Sequence, residues 1–367
     1  MTRTAVDATA LASTGAGRTD DLDHRRRRVR VIVWITGLAG ILIISIPVSV
    51  GLGPVWIGPG TVIAIVLDHL GWAAAVPGQE AADSIVWQVR IPRVLLAVVV
   101  GAALAISGAA LQALVRNVLA EPYLLGVSAG ASTGAALTLL FGFGATIGAG
   151  ALTGSAFLGA LAATALVFVL ATRGGKITSV RLLLAGVAVG YVLNAATSFL
   201  IFASDTPEGA RAVLFWLLGS LTRASWTSVL IASPIVLAGL MILVVISRRL
   251  DALSLGDDTA LALGSSPTRV RAQGLAVVAL CVGAAVAVSG GIGFVGLIVP
   301  HVARLLVGGV HRRLLPVAAL LGASFLIWCD VAARMIFVPR ELPLGIITAV
   351  AGAPFLIFLV RRMRTTS

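Results

Sequence analysis

Ten apolar runs, each close to the roughly 20 residues that cross a bilayer as a helix, recur between Val31 and Val360 of this 367-residue chain. They fall at 31–52, 92–114, 124–141, 151–171, 182–203, 226–246, 272–290, 294–308, 316–334 and 344–360. A chain built this way cannot wrap itself around one water-soluble core. Only 11% of its residues are charged, against about 25% in soluble domains, so a globular surface could not be covered. Backbone groups in lipid must be paired within helices or a closed barrel, and runs of this length select helices. The expected fold is all-α, a polytopic membrane protein of about ten transmembrane helices. Cys281 and Cys329 lie inside apolar runs and read as small core residues.

The net charge of +12 raises nucleic acid as a partner, but the placement of the charges argues against it. Basic residues cluster at the ends of apolar runs, as topogenic loop charges do. Residues 1–23 read as a small, polar, unstructured tail, and the basic run His24–Arg30 abuts the first span. Residues 1–30 are then a cytoplasmic basic tail, followed by one membrane domain over 31–367. Alternating the spans from a cytoplasmic N-terminus puts 21 of the 27 basic residues, and the C-terminus, inside. Only Arg90, Arg93, Arg211, Arg223, Arg334 and Arg340 fall outside, where they need a reason.

Val100–Gly108 reads VGAALAISG and Val282–Gly290 reads VGAAVAVSG, identical at seven of nine positions. The copies lie in the second and seventh spans. An odd offset makes them run in opposite directions, so the chain is expected to hold an inverted internal repeat, a common transporter architecture.

Four ordered segments go beyond hydropathy: Arg90-Ile91-Pro92-Arg93, QALVRNVLAEPYLLGVSAGAS over 112–132, SGGIGFVGLIVPHVARLLVG over 289–308, and ELPLGIITAVAGAPFLIFL over 341–359. Together they closely resemble the FecCD-type permeases of type II ABC importers, from about residue 31 to the C-terminus. Val118 departs from the family's usual proline after the asparagine of that turn. The resemblance implies a permease that is not itself an enzyme, carrying an iron chelate: a ferric siderophore first, haem or cobalamin next. It implies a multi-pass protein of the bacterial inner membrane with both termini cytoplasmic. It also implies two such subunits around a central path, as a homodimer or with a paralogous permease. A separate ABC ATPase would hold ATP and Mg²⁺, and an extracytoplasmic binding protein would deliver cargo. This chain would bind no cofactor: Gly174-Gly175-Lys176-Ile177 lacks both the leading glycine and the Ser/Thr of a phosphate-binding loop.

Individual residues take expected roles from the same resemblance. Arg90, Arg93 and Arg334 would receive carboxylates of the binding protein, guanidinium forks being suited to that geometry. The alternatives are that Asp330 pairs with Arg334 one turn away and that Arg90 and Arg93 snorkel to the interface. In the loop 247–271, Leu253, Leu255, Gly256, Asp257, Leu263 and Gly264 would belong to helices seated in the ATPase. Asn117, Leu119, Thr178 and Ser179 would lie near the cytoplasmic gate, unless Asn117 caps a turn and Thr178 or Ser179 only starts a helix. His301 has no partner at ligand spacing, so no metal site is expected.

An ion-coupled secondary transporter is the alternative. It accounts equally for an inverted repeat but needs ionisable residues deep in the bundle. The acid this reading finds within a span, Asp330, sits near an outer helix end.

Overall fold

The computed structural model describes residues 7–72 and 80–363. In chain order the helices are α1 (Asp7–Gly51), α2 (Pro59–His69), α3 (Glu80–Ser84), α4 (Ile91–Val115), α5 (Val127–Phe141) and α6 (Ala151–Ala171). They continue as α7 (Ser179–Phe202), α8 (Pro207–Leu217), α9 (Trp226–Val245), α10 (Ser247–Ser254) and α11 (Asp257–Ala262). The last are α12 (Pro267–Ser289), α13 (Val295–Val307), α14 (His311–Met335) and α15 (Leu344–Met363). All ten expected runs are helical, as α1, α4 to α7, α9 and α12 to α15; among the described residues seven of them are long and apolar enough to cross a membrane, and α5, α13 and α15 are shorter apolar helices. A π turn over Ile85–Arg90 joins α3 to α4 in one continuous helix. Over residues 7–23 the expectation of an unstructured tail is corrected, because α1 runs back through the polar segment to Asp7, while residues 1–6 of that tail lie outside the described residues; the apolar portion of α1 is Val29–Gly51.

Local chemistry sets the boundaries. Thr178, Ser225 and Ser266 cap α7, α9 and α12 by accepting the backbone N–H three residues on, which satisfies donors a helix start leaves free. Proline stands in the first turn of α2, α4, α8 and α12, where its missing N–H costs nothing. The short α2 and α8 went unseen in the sequence because neither is long enough to register as a span.

The centre is built from α4, α12 and α14, whose apolar windows are 78%, 72% and 72% buried, against 11% for α1 and 17% for α7. The outer helices present large apolar side chains outward, Phe199, Phe202, Leu230 and Val245 among them, a surface suited to lipid or another apolar subunit. Close crossing at the centre needs small residues: a Cβ on Gly101 would strike the carbonyl oxygen of Gly322, and the reverse.

The first turn of α12 meets the last turn of α4, where Arg271 Nε donates to Leu114 O at 3.1 Å. The two helices are therefore antiparallel, and the repeated segments run in opposite directions. Each copy is followed by a break and a short helix: α4, then 116–126, then α5; α12, then 290–294, then α13. An antiparallel hairpin, β1 (Thr172–Arg173) with β2 (Lys176–Ile177), links α6 to α7. Its turn is Gly174-Gly175, at φ 58° and 72°, as a two-residue turn with both central residues left-handed requires.

Candidate functional site

Two ends and one internal junction carry the polar chemistry. At the arginine-rich end, Arg271 is 1% exposed and inserted among four elements. Besides Leu114 O, it donates from Nη1 to Ile177 O at 3.0 Å and from Nη2 to Ser179 Oγ at 2.9 Å. Its two Nη atoms also grip Asp257 at 2.9 and 2.7 Å. Asp257 opens α11, and its hydrogen bonds from the Arg271 guanidinium hold its carboxyl below the ordinary carboxylate range, against the opposing effect of burial. Nearby, Asp251 of α10 accepts from the backbone N–H of His311 at 2.9 Å and contacts its Nδ1 at 2.6 Å. The segment α10–α11 is thus tied to the ends of α4, α7, α12 and α14.

The coupling residues divide. Leu255, Leu261 and Leu263 are 72%, 60% and 64% exposed, whereas Leu253 is fully buried in the bundle. Leu253 as a docking residue is therefore corrected: α10 turns it inward, and the apolar face left open is Leu255, Leu261 and Leu263. Gly256 and Gly264 bracket α11 at φ 130° and 75°, conformations that L side chains resist. Among the residues expected at the gate, Asn117 Oδ1 accepts from Leu119 N at 2.9 Å, a local turn that does not need proline at Val118. Thr178 caps α7. Ser179 is buried and also donates to Leu114 O at 3.3 Å. Thr178 and Ser179 thus start the helix, and Ser179 also joins it to α4.

The opposite end holds the three unexpected arginines, and they are buried at 6%, 7% and 4% exposure for Arg90, Arg93 and Arg334. Arg90 donates to the carbonyls of Val50, Gly51 and Val55. Arg93 pairs with Asp330 at 2.9 Å and with Glu341 at 2.8 Å. Arg334 pairs with Asp330 at 3.0 Å and donates to Leu52 O and Ser49 Oγ. Expected as exposed forks, they are corrected to internal braces between α1, α4, α14 and the segment that precedes α15. Glu341 is the partly open member of this network, its side chain 32% exposed. The pairing of Asp330 with Arg334 is present, and snorkelling of Arg90 and Arg93 is not.

The junction lies along the C-terminal half of α4, where Gly296 of α13 sits against Leu104 and Gly108 and accepts from Gln112. There Tyr123 OH accepts from Ile292 N at 2.8 Å and donates to Ile292 O at 2.9 Å. Glu121 Oε1 accepts from Phe294 N at 2.5 Å, placing a carboxylate at the start of α13, where helix partial charge favours it. The sequence reading took the bundle centre as nearly charge-free and missed Glu121. The signal available was an acid inside a run bounded by two spans. Arg271 was missed as a site because it counted only as a topogenic charge.

His301 packs edge-on against Phe355 at 5.7 Å. Among the described residues, no group of three or more His, Cys, Asp or Glu side chains is placed to hold a metal.

An apolar exterior, an antiparallel repeat and two short helices that begin at one internal junction define a membrane transport protein. The profile of the FecCD transport family matches residues 41–362. The chain is 39% identical to a cobalamin import permease of Halobacterium salinarum, over 92% of this chain and 98% of that one. It is 42% identical to a hemin transport permease of Yersinia pestis, covering 76% and 84%. Its fold matches a solved ABC transporter described as of metal-chelate type, in an inward-facing conformation, at TM-score 0.76 and 33% identity over 90% of this chain and 99% of that one. The chain belongs to the FecCD transport family, the permeases of type II ABC importers.

Proposed function

We propose that this permease imports a bulky metal chelate across a bacterial inner membrane, by alternating access, in a complex with a second permease copy, an ABC ATPase and an extracytoplasmic binding protein. ATP and Mg²⁺ belong to the ATPase, and the arginine-rich end is the cytoplasmic one, in keeping with the positive-inside rule. The observation that carries this reading is the α10–α11 segment. It opens Leu255, Leu261 and Leu263 to a partner while Asp257 and Asp251 tie it to the starts of α12 and α14, and through Arg271 to α4 and α7. Such a segment passes movement of a seated partner into the bundle.

Docking of the binding protein is proposed at the opposite end. Arg90, Arg93 and Arg334 are engaged internally and brace that surface from beneath, with Glu341 its partly open charged member. Cargo names among the relatives, cobalamin and haemin, support a large chelate, and ferric siderophore, haem and cobalamin are the compounds to test, in that order.

Glu121 gives ion coupling a deep carboxylate that the sequence reading lacked, but Phe294 N–H already occupies one of its oxygens. The deciding experiment is purification from the native membrane in mild detergent, then uptake in proteoliposomes. A stoichiometric ATPase with ATP-dependent chelate uptake is expected. Uptake driven by an ion gradient without ATP would overturn the proposal.

A further inference from the structure

We infer that Arg271 is the positioning residue through which movement of α11 is carried to the ends of α4 and α7. The inference rests on the reading of α10–α11 as the ATPase contact and adds a residue to it. Arg271 heads the large side chains that are fully buried in this chain. Its guanidinium makes five hydrogen bonds of 2.7–3.1 Å to four separate elements: the last turn of α4, β2, the first turn of α7 and α11. Asp257 is the one charged member of that set. Within α11 itself only Ala260 is buried, so the Asp257 fork is the main polar tie of this short helix to the bundle.

Charge supplies the reason the tie transmits motion. Separating Asp257 from Arg271 would leave a buried guanidinium without its counter-ion, which is strongly unfavourable. When a partner displaces α11, Arg271 therefore follows, together with the backbone carbonyls and Ser179 hydroxyl it holds. The bidentate grip fixes direction as well as distance, which a lysine at the same position cannot do.

The test compares Arg271→Gln and Arg271→Lys with the unaltered permease in the reconstituted complex, reading ATP hydrolysed per chelate imported. Arg271→Gln should raise that ratio about tenfold, within the range seen for residues that carry coupling between sites, and Arg271→Lys should fall between. An unchanged ratio overturns the inference, including the case where hydrolysis and uptake fall together, which is what a purely structural role produces. A second readout needs only the permease: spin labels on Leu261→Cys and Arg181→Cys, at two exposed positions. Their separation should be narrow with Arg271 present and broad with Arg271→Gln; equal distributions would also overturn it. If the unaltered permease retains no ATPase, the proposed function fails, while the label distances still report on the tie.

Discussion

Glu121 and Phe294, 173 residues apart, are joined by a 2.5 Å hydrogen bond from the backbone N–H of Phe294 to Oε1 of the carboxylate. The bond closes the start of α13 with a side chain from the break that follows α4. Phe294 itself stands at φ 69°, a left-handed conformation that aromatic residues rarely adopt. Together with the Tyr123–Ile292 pair, this contact pins the two broken helices to each other beside the C-terminal half of α4. The two halves of the inverted repeat meet here in a single hydrogen-bonded unit.

Removing that acceptor should loosen the junction. Glu121→Ala leaves the Phe294 N–H unpaired, a loss of about 1–3 kcal/mol, and should lower the apparent unfolding temperature in detergent. Glu121→Gln keeps an oxygen in place and should recover most of the loss. Equal melting of Glu121→Ala and the unaltered protein would show that the contact contributes little.

Asp330 is fully buried between Arg93 and Arg334. Asp330→Asn leaves buried Arg334 without its counter-ion and Arg93 with Glu341 alone, and should cost about 3–5 kcal/mol, the usual effect of breaking a buried pair from one side. Arg340, exposed at the same end, should tolerate glutamine within about 0.5 kcal/mol. Yield of monodisperse protein from membranes would separate the two variants; similar yields would contradict the bracing role.

The Asp257–Arg271 contact carries a pH signature of defined sign. Arg271 holds the folded-state carboxyl of Asp257 below its ordinary value, so its stabilisation is present above the ordinary carboxylate range and lost as pH falls through the lowered value. Separation between labels on α11 and α7 should therefore be constant from about pH 8 to pH 5 and broaden only in stronger acid, below the usual carboxylate pKa of about 3.9. Asp257→Asn should show the broad distribution throughout. Broadening near neutrality would assign the effect to another group.

Leucines two positions apart should behave oppositely. Leu253→Ala opens a cavity at a fully buried site and should cost about 2–5 kcal/mol. Leu255→Ala, at a 72% exposed site, should leave stability intact but weaken co-purification of the ATPase. Matching effects on stability would mean that the exposed face is covered in the isolated chain.

The number and order of the spans, the crowding of basic charge at one end and the opposed direction of the repeated segments were legible in the sequence. Each follows from local properties: hydropathy is summed over consecutive residues, and alternation through a bilayer converts span order into direction. Thr178 likewise signalled a helix start from its own neighbourhood. The tertiary structure alone decided which arginines are free and which are sealed. Arg90, Arg93 and Arg334 have the composition of an exposed docking site but sit beside carbonyls and carboxylates up to 285 residues away. Leu253 and Leu255 look equivalent in the sequence and differ only because α10 turns one of them against the bundle. Glu121 and Arg271 became readable when helices distant in the chain brought Phe294 and Asp257 to them. Side-chain pairing depends on long-range approach, which no local pattern encodes.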